Sequence, residues 1–335
     1  MVVPARLMRY VIVGAGAIGG TVGGLLHQAG NDVVLVARGA HLDALRRDGL
    51  TLDRPSGTTT LRVPVAGTLA EAGLRDGDDP DLLVVATKLQ DAEPVLDQAR
   101  ELAPGVGVLC AQNGVAGERM ARARFETVVA MVVILMADHL EPGVVAAYME
   151  PHPGVLDVGG YPEGDPAAAT LAGRVAADLV AAGFSAQARA DIMRWKYRKL
   201  LSNLGNAAEA ACGSDDPALA DLSGAARVEG VRALAVAGID VATDEEDRAR
   251  RNGRVAAGTI AGRTRGGGSS WQSLRRGTGS IEASYLNGEI IALGERHGVA
   301  TPVNSLLLRV AEEMAAAREQ PGGRSAADLL AAART

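Results

Sequence analysis

The chain has 335 residues, 47% hydrophobic and 22% charged, with a formal net charge of −6, the make-up of a globular protein long enough for a large core and two domains. The negative balance leaves no basic field to draw in nucleic acid. Cys110 and Cys212 are too few and too far apart in sequence for a disulfide framework or a zinc spacing.

A reducing cytoplasm suits such a chain. Its opening residues lack the apolar stretch of a secretory signal, and Met8 offers an alternative start. The most apolar run, residues 128–137, is about half the length of a bilayer-spanning helix and reads as a buried parallel strand. Neither a membrane nor nucleic acid is an expected partner, and no metal site is expected.

Residues 10–20, Tyr-Val-Ile-Val-Gly-Ala-Gly-Ala-Ile-Gly-Gly, pass from a strand-forming stretch into a glycine turn. Gly14 permits the tight turn, Gly16 lets backbone approach a pyrophosphate, and Gly19 lets the next helix, 21–28, pack closely on the sheet. Ala17 and Ile18 complete this cofactor-binding turn. The positive end of the helix faces the phosphates. Glycine turns also arise for packing alone, but the strand before, the helix after and a second strand at 32–37 single out a dinucleotide site.

The end of that second strand bears on which dinucleotide. An NAD site carries an acid about 20 residues on, an NADP site a nearby arginine. Here Arg38 stands at the strand end with His41 close by and no carboxylate. A solvated surface arginine is the plain alternative; read as a clamp on the 2′-phosphate, Arg38 makes the cofactor NADPH.

A short polar helix at 41–49 follows, then extended segments over 50–65 broken at Pro55-Ser56-Gly57, and a turn at 78–81. Strand 82–86 ends at Thr87-Lys88, helix 91–102 leads to strand 107–110, and that strand ends at Gln112-Asn113-Gly114. A further helix and strand 128–136 complete an alternation that predicts an α/β fold with a Rossmann-type doubly wound parallel sheet. Ligands of such sheets sit outside the strand carboxyl ends, where Lys88 and Asn113 both stand. An exposed lysine at a helix start and ordinary Asn-Gly turn chemistry account for the same two residues.

Residues 137–164 loosen into short strands, and 166–182 form an alanine-rich helix. From 190 onward only helices are expected, at 192–209, 218–238, 244–262, 280–297 and 303–318, with a glycine loop at 263–269. The organisation is therefore an NADP-binding Rossmann domain, 1–187, followed by an all-helical substrate and catalytic domain, 188–335. No internal repeat is evident. Helices such as 290–295 offer apolar faces that suit a core or a homodimer interface alike.

On the helix from 192 to 206, Lys199 and Asn203 are four apart and share a face, with Asn206 three further along. Helical spacing fits a polar groove wall and a solvated face equally. Lys196 and Arg198 point to other faces.

The glycine turn with Arg38, the Lys88 strand end, Gln112-Asn113-Gly114, the run Trp195…Lys199…Asn203, and a later segment Ser269-Ser270-Trp271-Gln272…Glu282…Leu286-Asn287-Gly288 occur in this order in ketopantoate reductases. From about residue 8 to about 318 the chain resembles the 2-dehydropantoate 2-reductase family. The resemblance implies hydride transfer from NADPH to the ketone of a 2-oxo acid, with ketopantoate the first choice and pantothenate synthesis the pathway.

It further implies that Lys199 hydrogen-bonds the carbonyl and protonates the developing alkoxide, and that Glu282 pairs with this lysine and holds the substrate hydroxyl. Asn203 and Ser270 match substrate-binding positions, with Asn206 one position from a third. Lys88 and Asn113 match the nicotinamide end of the cofactor cleft. A lysine acid is physically sound, because hydride addition builds negative charge on oxygen that an ammonium stabilises and neutralises. Closure of the two domains is expected, to exclude water.

Two departures stand out. Gln272-Ser273 replaces the family's Gln-Asp, and Ala207 replaces an asparagine usual four residues after Asn203. The reduction chemistry survives both changes; a different 2-oxo acid, ketone or imine becomes the alternative substrate. A nucleotide-binding protein without turnover is a third reading, which the joint presence of Lys199 and Glu282 argues against.

Overall fold

The computed structural model describes residues 8–77, 81–263 and 265–333. The opening segment and most of the turn expected at 78–81 lie outside the described residues. The chain divides into two compact units: Met1–Gln112, Ala116–Met193 and Arg248–Thr264 form the first, and Asn113–Val115, Arg194–Asp247 and Arg265–Thr335 the second.

Among the described residues the first unit is built on a seven-stranded sheet, ordered Val155–Tyr161, Val128–Ile134, Gly107–Cys110, Leu82–Val85, Arg9–Val13, Asp32–Val36, Val65–Ala66. Every pairing is parallel except at one edge, where Val155–Tyr161 runs antiparallel to Val128–Ile134. This is the doubly wound arrangement expected, with one antiparallel edge strand added. Chain order reverses between Arg9–Val13 and Leu82–Val85, the switch point at which such sheets bind ligands.

Strand alternation feeds two hydrophobic layers. Tyr10 and Ile12 face Val22, Leu25 and Leu26 of helix Ala17–Gln28 and Val175 and Leu179 of helix Pro166–Ala181. Val11 and Val13 face Leu96 and Ala99 of helix Ala92–Leu102 and Ala121 of helix Ala116–Arg122. Burial on both faces is why these strands read as unbroken apolar runs, each buried Val, Leu or Ile contributing about 1.5–3 kcal/mol.

The extended stretch 50–65 is a hairpin, Leu50–Arg54 against Gly57–Leu61, turning at Pro55-Ser56 with Gly57 at φ +124°. It belongs to a four-stranded sheet with Val144–Ala147 and Ala137–Asp138. Leu50, Leu52 and Val145 share the layer of helix Ala17–Gln28.

The long helix expected over 244–262 is a correction. The helix is Asp244–Arg251, Gly253 turns the chain at φ +68°, and Val255–Ala257 pairs antiparallel with Met149–Pro151. The ends of this return are fixed by ions. Arg250 donates to both oxygens of buried Asp157, at 2.6 and 2.9 Å, and to Ser185 Oγ at 2.8 Å; Arg189 donates to the same carboxylate at 2.7 Å. Periodicity cannot register a partner 93 residues away.

Every described element that lies wholly in the second unit is helical. The single helix expected over 192–209 is two, Ile192–Asn203 and Asn206–Cys212, interrupted at Leu204-Gly205. Asn287 of helix Ala283–His297 donates its side-chain amide to the Leu204 carbonyl at 3.1 Å, an intrusion into the helical ladder that accounts for the break. Helix Leu219–Val236 passes close by: a Cβ at Gly230 would meet Leu204 Cδ1 at 2.6 Å and Leu201 Cδ2 at 2.8 Å. Glu229 on the same helix accepts the Val303 and Asn304 backbone N–H groups at 2.9 and 3.0 Å, capping helix Pro302–Ala316 with a charge favoured at that end.

Ile290 and Leu293, on the apolar face considered for an interface, are buried within the unit. The glycine loop gives way to a short helix, Ser269–Arg275, and a last helix, Ala326–Ala332, lies beyond those expected. No helix of the described residues is long and apolar enough to cross a membrane.

Candidate active site

In the first unit the glycine turn lies at the switch point. Gly14 has φ +98°, its N–H donates to the Val36 carbonyl at 3.1 Å, and a Cβ on it would stand 2.8 Å from the Ala86 carbonyl carbon and the Thr87 nitrogen. Any other residue is excluded on both counts. A Cβ at Gly19 would overlap the Gly14 carbonyl oxygen, so Gly19 closes the turn on itself; Gly23, packed on Leu35 and Ile12, is the glycine that brings the helix onto the sheet.

Gly16 is the residue before helix Ala17–Gln28, and no side chain caps the helix there. A Cβ on Gly16 would meet nothing nearer than His139 Cδ2, at 3.9 Å. An open backbone over uncapped N–H groups fits a pyrophosphate. Ala17 and Ile18 open the helix, half-buried.

The same strand ends carry Arg38 and Lys88. Arg38 precedes helix Gly39–Asp48, its side chain is 86% exposed, and Nη2 lies 3.6 Å from Asp91 Oδ2. Lys88 is half-buried in extended conformation just ahead of Leu89–Asp91. Gln112 Nε2 donates to the Thr87 carbonyl at 2.9 Å, tying two adjacent strand ends together. Asn113 groups with the helical unit.

Sequence reading missed a histidine pair behind the turn. His41 Nε2–H donates to the Ala15 carbonyl at 2.8 Å, and Nδ1 accepts the Gly143 N–H at 2.9 Å. His41 is thus a neutral imidazole, its pKa lowered by burial against the opposing pull of the Ala15 carbonyl. Its ring stands 4.1 Å from that of His139, which donates from Nδ1 to the Val144 carbonyl at 3.0 Å. No spacing signals this pair, because only the fold brings 41, 139 and 143 together.

In the second unit Lys199 and Asn203 share helix Ile192–Asn203, Lys199 half-buried and Asn203 3% exposed. Asn206 starts the next helix rather than continuing the same face. It lies beside the later serine segment: its Oδ1 would be 3.7 Å from a Cβ at Gly268, whose N–H points to both Glu209 oxygens at 3.2 Å. Glu209, too, carries no local pattern that singles it out. Helix Ser269–Arg275 packs on helix Asn206–Cys212, and Gly266 and Gly267 lie flat against the Trp271 indole.

Ser270 is 2% exposed and its hydroxyl has no partner; the Asn203 Nδ2 has none either. Glu282, 4% exposed, immediately precedes helix Ala283–His297, an end where a carboxylate is favoured. Trp195 is buried.

Family models of ketopantoate reductase PanE/ApbA match residues 10–161 and, for the C-terminal part, 191–315. A 2-dehydropantoate 2-reductase of Archaeoglobus fulgidus is 32% identical over 313 residues, 91% of this chain and 97% of that one. One of Pyrococcus horikoshii is 37% identical over 111 residues, which make up 33% of this chain and 35% of the relative. Among solved structures, D-mandelate dehydrogenase with NADH and anilino(oxo)acetate has a TM-score of 0.77 at 22% identity, over 93% of this chain and 99% of that one, a likeness of fold.

Proposed function

The chain belongs to the ketopantoate reductase family of oxidoreductases, and we propose that it reduces 2-dehydropantoate to pantoate with NADPH, a step of pantothenate synthesis. One observation carries the reading. Asn203 Nδ2 and Ser270 Oγ are buried without partners at two of the positions that the resemblance assigns to substrate. Each such group costs about 1–3 kcal/mol while unsatisfied, and a substrate bearing a hydroxyl, a ketone and a carboxylate relieves that cost.

The nicotinamide, when bound, supplies the hydride. The glycine turn and the uncapped start of helix Ala17–Gln28 hold its pyrophosphate, and Arg38 takes the 2′-phosphate. Lys88 and Asn113 serve the nicotinamide end. Lys199 donates an N–H to the ketone oxygen, stabilises the charge that builds there and passes it the proton. Glu282 accepts from the Lys199 ammonium and from the substrate hydroxyl. Asn203 and Asn206 hold the substrate's polar groups, and Ser270 donates to its carboxylate.

Ser273 supports a second reading. Standing where the family carries an acid, it donates its hydroxyl to the Ser269 carbonyl at 3.1 Å and faces inward at 3% exposure, while Ala207 is buried at 1%. Neither adds a polar group for a substrate. The second reading is therefore a reductase of another 2-oxo acid, ketone or imine with NADPH.

Oxidation of NADPH and of NADH, followed with ketopantoate and a panel of branched 2-oxo acids, tests both. Preferred turnover of ketopantoate with NADPH supports the first reading and turnover of another member alone the second. Silence across the panel with both nucleotides overturns the enzymatic reading.

A further inference from the structure

Arg265 of the helical unit has no part in the chemistry described so far. It precedes the glycines 266–268 that lead into helix Ser269–Arg275, and its Nε is buried without a hydrogen-bond partner. Neighbouring arginines are engaged: Arg263 donates to Asp53 at 2.6 Å and Arg275 to Gln320 at 2.9 Å. A buried donor left unpaired costs about 1–3 kcal/mol, so this arginine edge calls for an acceptor that the described residues do not supply.

The turn that holds Arg265 is tied down on both sides. Gly266 and Gly267 lie so close to the Trp271 indole that a Cβ on them would stand 2.3 Å from Cζ3 and 2.5 Å from Cγ. Gln272 Nε2 donates to the Gly267 carbonyl at 3.3 Å, and the Gly268 N–H points to both Glu209 oxygens at 3.2 Å. The segment is thus folded back on its own helix and fastened to helix Asn206–Cys212, which follows the helix of Lys199 and Asn203.

Ser269 Oγ and Ser270 Oγ, in the same segment, are also buried and unpartnered, as is Asn203 Nδ2. Arg265 Nε and Asn203 Nδ2 can only donate, and a serine hydroxyl can donate as well. One chemistry answers all four atoms, a group made of acceptors. A carboxylate offers two oxygens with about four lone-pair sites, and Nε with an adjacent Nη forms the fork that meets both oxygens at once. No acid nearby in sequence competes for that fork: residues 265–281 contain none, with Ser273 standing where the family carries one. Glu209 is turned to the Gly268 N–H.

We propose that Arg265 binds the carboxylate of the substrate through its Nε edge, with Ser269 and Ser270 beside it. The proposal rests on the reading of this unit as a 2-oxo acid site, and it narrows that reading. A ketone or imine without a carboxylate leaves Arg265 unpaired and binds poorly.

The test is calorimetric titration of the full chain saturated with its oxidised nucleotide, which has no hydride to give, so that binding is read without turnover. The ligands are ketopantoate, 3-methyl-2-oxobutanoate and the methyl ester of the latter, whose carboxylate is masked. The wild type should bind the acids more tightly than the ester. Arg265→Ala should weaken both acids roughly ten- to a hundredfold, the worth of a charge-assisted hydrogen bond, and leave ester affinity, nucleotide affinity and melting temperature unchanged. Arg265→Lys keeps the charge but not the fork and should regain only part of the loss.

Unchanged acid affinity in Arg265→Ala overturns the proposal, and so does a wild type that does not prefer the acids to the ester. An equal loss on acid and ester, or a parallel loss of nucleotide affinity, overturns it as well, giving Arg265 to the fold or to the nucleotide phosphates. Failure of the proposed function is a separate result: a chain that turns over no member of the panel yet binds these carboxylates through Arg265 loses that function and keeps this assignment.

Discussion

Asn287 donates its side-chain amide to the Leu204 carbonyl at 3.1 Å and to Asn304 Oδ1 at 3.0 Å. Asn287 lies one turn into the helix that starts after Glu282, and Leu204 directly follows the helix that carries Lys199 and Asn203. The bond thus fixes the helix of the proposed acid relative to that of its carboxylate partner. Asn304 in turn donates to Glu229 Oε2 at 2.7 Å and to the Ala226 carbonyl at 2.9 Å, all of it buried. Asn287→Ala leaves the Leu204 carbonyl and Asn304 Oδ1 short of a donor. Urea unfolding should show a loss of about 2–4 kcal/mol, and the surviving enzyme should show KM for the 2-oxo acid raised more than KM for NADPH. A variant within about 0.5 kcal/mol of wild type would make the network immaterial.

Lys199→Ala removes the proposed proton donor. It should lower kcat by about 10²–10⁴-fold while NADPH titrated by fluorescence binds as before, because the proposed nucleotide residues other than Asn113 lie in the other unit. Glu282→Gln should also lower turnover and leave nucleotide affinity intact. Undiminished kcat in the lysine variant would move the acid elsewhere, and collapse of nucleotide affinity in the Glu282 variant would remove that residue from the substrate side.

The choice of dinucleotide rests on Arg38, whose side chain stands 86% in solvent and 3.6 Å from the Asp91 carboxylate. Such an exposed pair is weak, so Arg38 is available to a phosphate. Arg38→Ala should raise KM for NADPH roughly ten- to a hundredfold, the worth of a charge-assisted hydrogen bond, and leave KM for NADH nearly unchanged. Asp91 predicts the opposite sign. A carboxylate beside a 2′-phosphate repels it, so Asp91→Asn should lower KM for NADPH roughly two- to fivefold without touching NADH. Equal responses to both nucleotides in either variant would remove Arg38 from the phosphate.

Legibility in the sequence followed the range of the forces involved. The strands at the switch point could be read because Val11 and Ile12 are buried on both faces, and Gly14 because its φ and its contact with Ala86 admit nothing larger. What could not be read depends on partners far along the chain. The helix break after Asn203 needs Asn287, and the strand at Val255–Ala257 needs Met149–Pro151 and the Arg250–Asp157 pair. Local pattern continued helices through both. Of the candidate site, the residue types and their order were readable; that Asn203 and Ser270 lack partners, that Ser273 turns inward, and that two histidines back the glycine turn were not.

The histidine behind the turn predicts a pH dependence. His41 is held neutral, donating from Nε2 to the Ala15 carbonyl and accepting the Gly143 N–H at Nδ1. Burial lowers its pKa below the ordinary 6.5. The folded chain therefore resists a proton that the unfolded chain takes up near 6.5, so the stabilisation is complete above that pH and is lost as pH falls through 6.5 toward the lower folded value. His41→Gln keeps one donor and one acceptor but does not titrate. The difference in melting temperature between wild type and this variant should narrow or reverse between about pH 7.5 and about pH 5. A protonated His41 also loses its acceptor for Gly143 and adds a charge behind Ala15. NADPH affinity should then change only as pH falls to the lowered pKa of the folded chain, below 6.5, and should lose that component in the variant. A melting difference that stays constant across the range would mean that His41 does not exchange its proton with folding.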